Sequence, residues 1–187
     1  MRKVIYAIYT TLDGVVDHMK IGPPDQETGE YFTRLTRDAD TFLYGRKTYQ
    51  LMVPYWPDVA KNPAGRTTAA IEFAQAFDAV DKIIVFSQSL DSAEGEKTRI
   101  VRTGLNDEVL KLKQEQGKNI MTGGVTLALQ LAELGLIDEY HFAVHPIIAG
   151  EGRRLFEGIN LKEKLQLKLV ESKTLKSGCV LLHYLKQ

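Results

Sequence analysis

The stretch Asn119–Gly135, NIMTGGVTLALQLAELG, limits the possible folds more than any other part of the chain. Ile120 and Met121 close a short apolar run, Gly123 and Gly124 permit positive φ or close backbone approach, and Val125, Ala128, Leu129 and Ala132 follow at helical spacing. Gly135, just before Leu136, is a helix stop. The reading is a buried strand, a tight turn and a helix in immediate succession. Such a helix aims its first N–H groups, which have no partner within the helix, past the sheet edge, and that end carries partial positive charge. The turn is a candidate phosphate cradle. It is shorter than the Gly-x-Gly-x-x-Gly pattern of dinucleotide sites, and a plain sharp turn also satisfies it.

Gly45, Arg46, Lys47 and Thr48 repeat the arrangement: the strand Thr41–Tyr44, a glycine, then a helix start with two cations and a hydroxyl. Cations at a helix N-terminus are unfavourable unless an anion is present, which favours an anion site over a solvated basic surface. Lys82–Phe86 is a third compact strand, ending in Ser87, Gln88 and Ser89. Their side chains suit either a ligand at the carboxyl edge of an open sheet or ordinary turn chemistry.

The remaining chain supplies the framework. Val4–Tyr9 reads as a first strand running into the turn Thr11, Leu12, Asp13, Gly14. His18–Gly29, with Gly22, Pro23 and Pro24, reads as a surface loop, and a helical pattern follows in Tyr31, Phe32 and Leu35. Pro54–Pro57 ends the helix after Thr48, and Ala70, Ile71, Phe73, Ala74 and Phe77 mark another. Arg99–Val101 is a short strand, Asn106 caps a helix carrying Val109 and Leu112, and Gly117 stops it. Glu139–Ile148 is a strand; Leu165–Glu171 and Cys179–Lys186 alternate around Lys176, Ser177 and Gly178 as an antiparallel pair. The sum is one α/β domain over residues 1–187 with an antiparallel C-terminal edge.

Charge narrows the partners. The 24 basic and 24 acidic residues cancel, which argues against nucleic acid or an acidic membrane surface. No apolar run reaches membrane-span length, and the N-terminal apolar segment is too short and too strand-like for a signal peptide, so the expectation is a cytoplasmic protein. The single cysteine, Cys179, sits in an apolar stretch and reads as a buried thiol. No metal site is expected: His141 and His145 share a strand face, four residues apart, with no matching third ligand nearby.

Taken together, Thr11–Gly14, Gly45–Thr48, Val85–Gln88 and Thr122–Gly124, in that order and spacing, resemble the dihydrofolate reductase superfamily. The pattern Gly135–Glu139 followed by Pro146–Gly152 and Arg154, Leu155, Phe156 is most similar to the reductase domain of bacterial riboflavin biosynthesis, here without the deaminase to which that domain is commonly fused. The resemblance implies a three-layer fold with an eight-stranded, mainly parallel sheet, NADPH across its carboxyl edge, and a homodimer using the C-terminal strands. Carried over by position, Gly45, Arg46, Lys47 and Thr48 face the cofactor phosphates, Ser87 and Gln88 lie near the adenosine, and Gly123, Gly124, Val125, Thr126 and Leu127 hold the pyrophosphate. Arg46, Lys47 and Ser87 offer partners to a 2′-phosphate. The carboxylate that contacts the pterin in dihydrofolate reductases aligns close to Thr28, between Glu27 and Glu30, and Thr122 stands where riboflavin-pathway enzymes often carry an acid.

The expectation is a reductase passing a hydride from NADPH to a C=N or C=O carbon of a small, pterin- or pyrimidine-like substrate. Asp13 and then Glu151 are the candidate substrate contacts or proton relays, although both also read as turn residues. A dinucleotide-binding or dimeric interaction module without turnover satisfies the same motifs.

Overall fold

The computed structural model describes residues 1–187. The first half of the chain runs β1 (Val4–Thr11), α1 (His18–Ile21), α2 (Gln26–Arg37), β2 (Ala39–Gly45), α3 (Arg46–Met52), α4 (Tyr55–Lys61), α5 (Thr68–Asp78) and β3 (Lys82–Phe86). The second runs β4 (Thr98–Val101), α6 (Leu105–Gln114), β5 (Asn119–Thr122), α7 (Thr126–Glu133), β6 (Glu139–His145), β7 (Leu167–Thr174) and β8 (Val180–Lys186).

The strands form one sheet in the order β4-β3-β2-β5-β1-β6-β8-β7. The first six in that order are parallel; β8 pairs antiparallel with both β6 and β7. Parallel strands covered on both faces read as continuous apolar runs. β1 fits that description, with Val4, Ile5, Tyr6 and Ala7 all buried. Two core layers flank the sheet. One packs Tyr31, Phe32 and Leu35 of α2 and Phe77 of α5 against Ala7, Phe42 and Val85; the other packs Val109, Leu112, Leu127 and Leu131 of α6 and α7 against Val4, Tyr6, Leu43 and Ile84.

Helix ends explain the departures from the expected boundaries. α2 begins within the expected loop, because Asp25 caps it: the Asp25 carboxylate accepts the Thr28 N–H at 2.8 Å. His18–Ile21 is likewise a helical turn, capped by Asp17. The cap of α6 is Gly104 at φ +73° rather than Asn106, and the segment after Pro54 forms α4 instead of only terminating α3. Past α7, Gly135 sits at φ +66°; its N–H bonds Ala132 O and that of Leu136 bonds Leu131 O, the Schellman closure.

Candidate functional site

The chain steps outward from β2 through β3 to β4 and returns at β5, between β2 and β1. Where strand order reverses in this way, the crevice beyond the carboxyl ends of the strands is the ligand site of open α/β sheets. A groove of about 1000 Å³ occupies that place. Gly45, Arg46, Lys47 and Thr48 after β2, Ser87 and Gln88 after β3, and Gly124, Val125, Thr126 and Leu127 after β5 all line it.

The turns after β2 and β5 are built against each other. Gly124 sits at φ +78°, and a Cβ there would lie 2.2 Å from Thr48 Oγ1; a Cβ on Gly45 would rest 3.8 Å from Leu127 Cβ. Tyr6, buried in β1, supports the turn from below, its hydroxyl donating to Gly124 O at 2.9 Å. Glycine at 124 is thus required by backbone conformation and by close approach together. Gly123 is different: a Cβ there would face Ala7 O at 3.7 Å and the Tyr44 ring at 4.0 Å, and the residue does not line the groove.

Exposed cations rim the groove. Arg46 and Lys47 open α3, Arg102 reaches across to Gln88 O at 3.2 Å and Leu90 O at 3.0 Å, and Arg153 donates to Thr126 Oγ1 at 3.0 Å. Arg102, Arg153 and His18 are lining residues that the motifs did not mark; no local pattern ties them to the strand ends, and they arrive from the segment after β4, the loop after β6 and the start of α1. Ser87 is committed locally, since its Oγ accepts the N–H groups of Ser89 and Leu90 at 3.2 and 3.0 Å.

Asp13 and Glu151 lie beside the groove in a second network. The Asp13 carboxylate accepts the Thr11 hydroxyl at 2.6 Å and the N–H groups of Ala149 and Gly150 at 3.1 and 2.9 Å. The Thr11 hydroxyl and these backbone donors hold its pKa down at about 2. Glu151 is exposed and paired with Lys20 at 2.9 Å, which lowers its pKa also. Both carboxylates are ionised at neutral pH and engaged in tying β1 and α1 to the loop after β6. The structure thus places Asp13, an expected substrate contact or proton relay, in contacts that hold the loop after β6, and Glu151, the other candidate, in an exposed pair with Lys20.

Sequence reasoning also missed the polar face of β6. Period-two alternation sends Tyr140 and Phe142 into one core and Glu139, His141 and His145 toward the α2 side, where all three are buried. His145 Nε2 has no hydrogen-bond partner, and burial lowers its pKa. Cys179 is fully buried, and its burial pushes the thiol pKa up, as a packed cysteine requires. The expected absence of a third ligand beside His141 does not hold. His183 of β8 stands directly opposite it in the antiparallel register, and Glu139, His141 and His183 bring ligand atoms within 4.8 Å of one another.

The RibD C-terminal domain family model matches residues 2–181. The chain belongs to that family. Two Bacillus subtilis (strain 168) relatives extend the match: the uncharacterized protein YyaP, 33% identical with 98% of this chain and 94% of the relative covered, and YwjB, 28% identical with 89% and 90% covered. The fold of this RibD C-terminal domain is shared by three solved structures. A riboflavin biosynthesis protein from Shewanella sp. PV-4 superposes with a TM-score of 0.71 at 20% identity, covering 100% of this chain and 99% of the other. A pyrimidine reductase-like protein from Corynebacterium diphtheriae gives 0.67 at 16%, covering 100% and 92%. Dihydrofolate reductase from Enterococcus faecalis, solved with NADP(H), gives 0.63 at 13%, covering 99% and 96%. The family and fold are those of reductases, and no helix is long and apolar enough to cross a membrane.

Proposed function

We infer that this RibD C-terminal domain is an NADPH-dependent reductase of a small, heterocyclic substrate, pterin- or pyrimidine-like in character. The observation that carries the reading is the convergence of two strand–glycine–helix turns, at Gly45 and at Gly124, on one groove at the point of strand reversal. The groove fits the cofactor: a Cβ on Gly124 would fill the space beside Thr48, and Arg46, Lys47, Arg102 and Arg153 supply the cations a dinucleotide's phosphates need. Bound there, NADPH supplies a hydride to a C=N or C=O carbon. The residues of the chain do the positioning. The first N–H groups of α7 and the Gly124 turn receive the pyrophosphate, Arg46 and Lys47 the 2′-phosphate, and Gln88 borders the adenosine, with Ser87 shaping the turn beneath it. The Asp13 network keeps the loop after β6 against the site. The complex of the Enterococcus faecalis enzyme with NADP(H) supports the same occupant.

A homodimer in the cytoplasm completes the proposal. Its surface is β7, where Leu169 and Val170 are about half exposed on an edge strand.

The test is a fluorescence titration of the purified protein with NADPH and with NADH. NADPH binds at least tenfold more tightly, and Arg46→Ala with Lys47→Ala, both exposed positions, removes that preference while leaving the fold intact. Equal affinities for the two nucleotides sink the 2′-phosphate assignment; binding of neither sinks the reductase reading.

A further inference from the structure

On the α2 face of the sheet, well along β6 from its carboxyl end, three side chains converge without any part in the nucleotide groove. Glu139 and His141 are two residues apart on β6 and so share a face; His183 meets them from β8. His141 Nε2 lies 3.4 Å from Glu139 Oε2, and His183 Nε2 lies 3.2 Å from the same oxygen. Two imidazoles and a carboxylate thus bring three ligand atoms within 4.8 Å of one another.

The spacing is that of a coordination shell. Ligand atoms each about 2.05 Å from a tetrahedral Zn²⁺ are about 3.3 Å from one another. Both nitrogen-to-oxygen distances match that edge, although the same distances serve hydrogen bonds from the imidazoles to Glu139 when no cation is present. The surroundings separate the two uses. Tyr31 OH holds His141 Nδ1 at 2.5 Å, and Lys3 Nζ holds the other oxygen of Glu139 at 2.5 Å. These are the outer contacts that orient a histidine and a monodentate carboxylate on a metal. A hydroxyl both donates and accepts, so the Tyr31 contact survives the move of the His141 proton from Nε2 to Nδ1 that metal binding requires.

Access is provided on one side. His183, the least buried of the three, borders a pocket of about 280 Å³ together with Tyr31, Glu171 and Lys173. The two rings stack at 4.1 Å and 16°, so their in-plane lone pairs run nearly parallel, and shared coordination requires His183, the more exposed ring, to rotate about its side-chain bonds. Three protein ligands with the fourth position open to a pocket describe a zinc-type centre that can hold water.

We propose that Glu139, His141 and His183 bind one divalent transition-metal ion of the zinc class, with its fourth position facing the pocket beside α2. The site is separate from the nucleotide groove and does not depend on the reductase reading.

The experiment uses the full chain, stripped with a chelator, dialysed and titrated with Zn²⁺ against a chromophoric competitor. One Zn²⁺ binds per chain with micromolar or tighter affinity; His183→Ala and Glu139→Gln each weaken it at least a hundredfold, Tyr31→Phe weakens it about tenfold, and His18→Ala has no effect. Co²⁺ added to the unaltered protein reports independently of any variant, by the intense visible absorption of tetrahedral coordination. Zinc binding unchanged in His183→Ala, affinity no better than about 1 mM, which is that of an isolated surface histidine, or the weak spectrum of octahedral Co²⁺ overturns the proposal.

Discussion

Replacing Gly124 by Ala tests whether the cradle is as tight as its geometry says. Alanine held at φ +78° pays the left-handed penalty, about 1–2 kcal/mol. Its Cβ would also stand 2.2 Å from Thr48 Oγ1, with Thr48 Cβ and Cγ2 at 3.4 and 3.5 Å. Relieving that overlap forces Thr48 off its place in the first turn of α3, an overpacking cost of about 1–3 kcal/mol. The two together come to about 3 kcal/mol. With a urea m-value of about 2 kcal/mol/M, the unfolding midpoint falls by about 1.5 M. The partner change Thr48→Ala removes the obstructing hydroxyl. Combined with Gly124→Ala it recovers about 2 kcal/mol and leaves the backbone penalty of about 1 kcal/mol. The assay is urea unfolding of both single variants and the double variant, followed by far-ultraviolet circular dichroism. A coupling energy below about 0.5 kcal/mol between the two positions refutes the reasoning, because the hydroxyl would then not be what excludes a side chain.

Asp13→Asn leaves one of the acceptor positions facing Ala149 and Gly150 occupied by an amide donor, so hydrogen exchange at those two N–H groups accelerates at least tenfold while exchange in β1 is unchanged; equal exchange in both proteins would show that Asp13 does not hold the loop. Stability also falls in acid. The His141 contact, followed by that of Lys3, holds the Glu139 pKa at about 2 against an ordinary 4.5, and Asp13 lies at about 2 against 3.8. The folded protein therefore binds fewer protons than the unfolded one between those values, and the lowered pKa values of His145 and His183 extend the same sign upward; stability declines as pH falls below about 6.5 and continues to decline toward about 2. Urea midpoints of chelator-treated protein from pH 6 to pH 2 check this, with Glu139→Gln flattening the decline; a midpoint that rises with acid contradicts the assignment.

The parts of the molecule legible in the sequence are those whose signals are local. β1, β3, the Gly123–Gly124 turn and the Gly135 stop each depend on neighbours within a few residues, and the residues expected to line the groove do so apart from Gly123. The start of α2 was hidden because Pro23, Pro24 and Gly29 imitate a loop. Gly29 in fact lies inside the helix, where a Cβ would come 2.8 Å from Ala69 Cβ of α5, so its purpose is helix packing and is invisible without the neighbouring helix. Asn106 looks like a cap, but the chain turns two residues earlier, through the left-handed Gly104. The Glu139–His141–His183 cluster depends on which residue of β8 faces which residue of β6. Spacing along one strand carries no information about that register. Asp13 reads locally as a turn residue, while its carboxylate accepts two backbone N–H groups far along the chain that no local pattern announces.

The placement of β1 governs the order in which the chain can fold. Its two hydrogen-bonding neighbours are β5 and β6, so Val4 pairs with Ile120 and Tyr6 with Tyr140. Segments so far apart pair slowly, because the loop-closure entropy is met before the contacts repay it. During synthesis Val4–Thr11 emerges first and then waits, an apolar β-prone segment with both edges open, until Asn119–Thr122 has left the ribosome. An apolar segment left unpaired in this way is exposed to misassembly for as long as its partners are unmade.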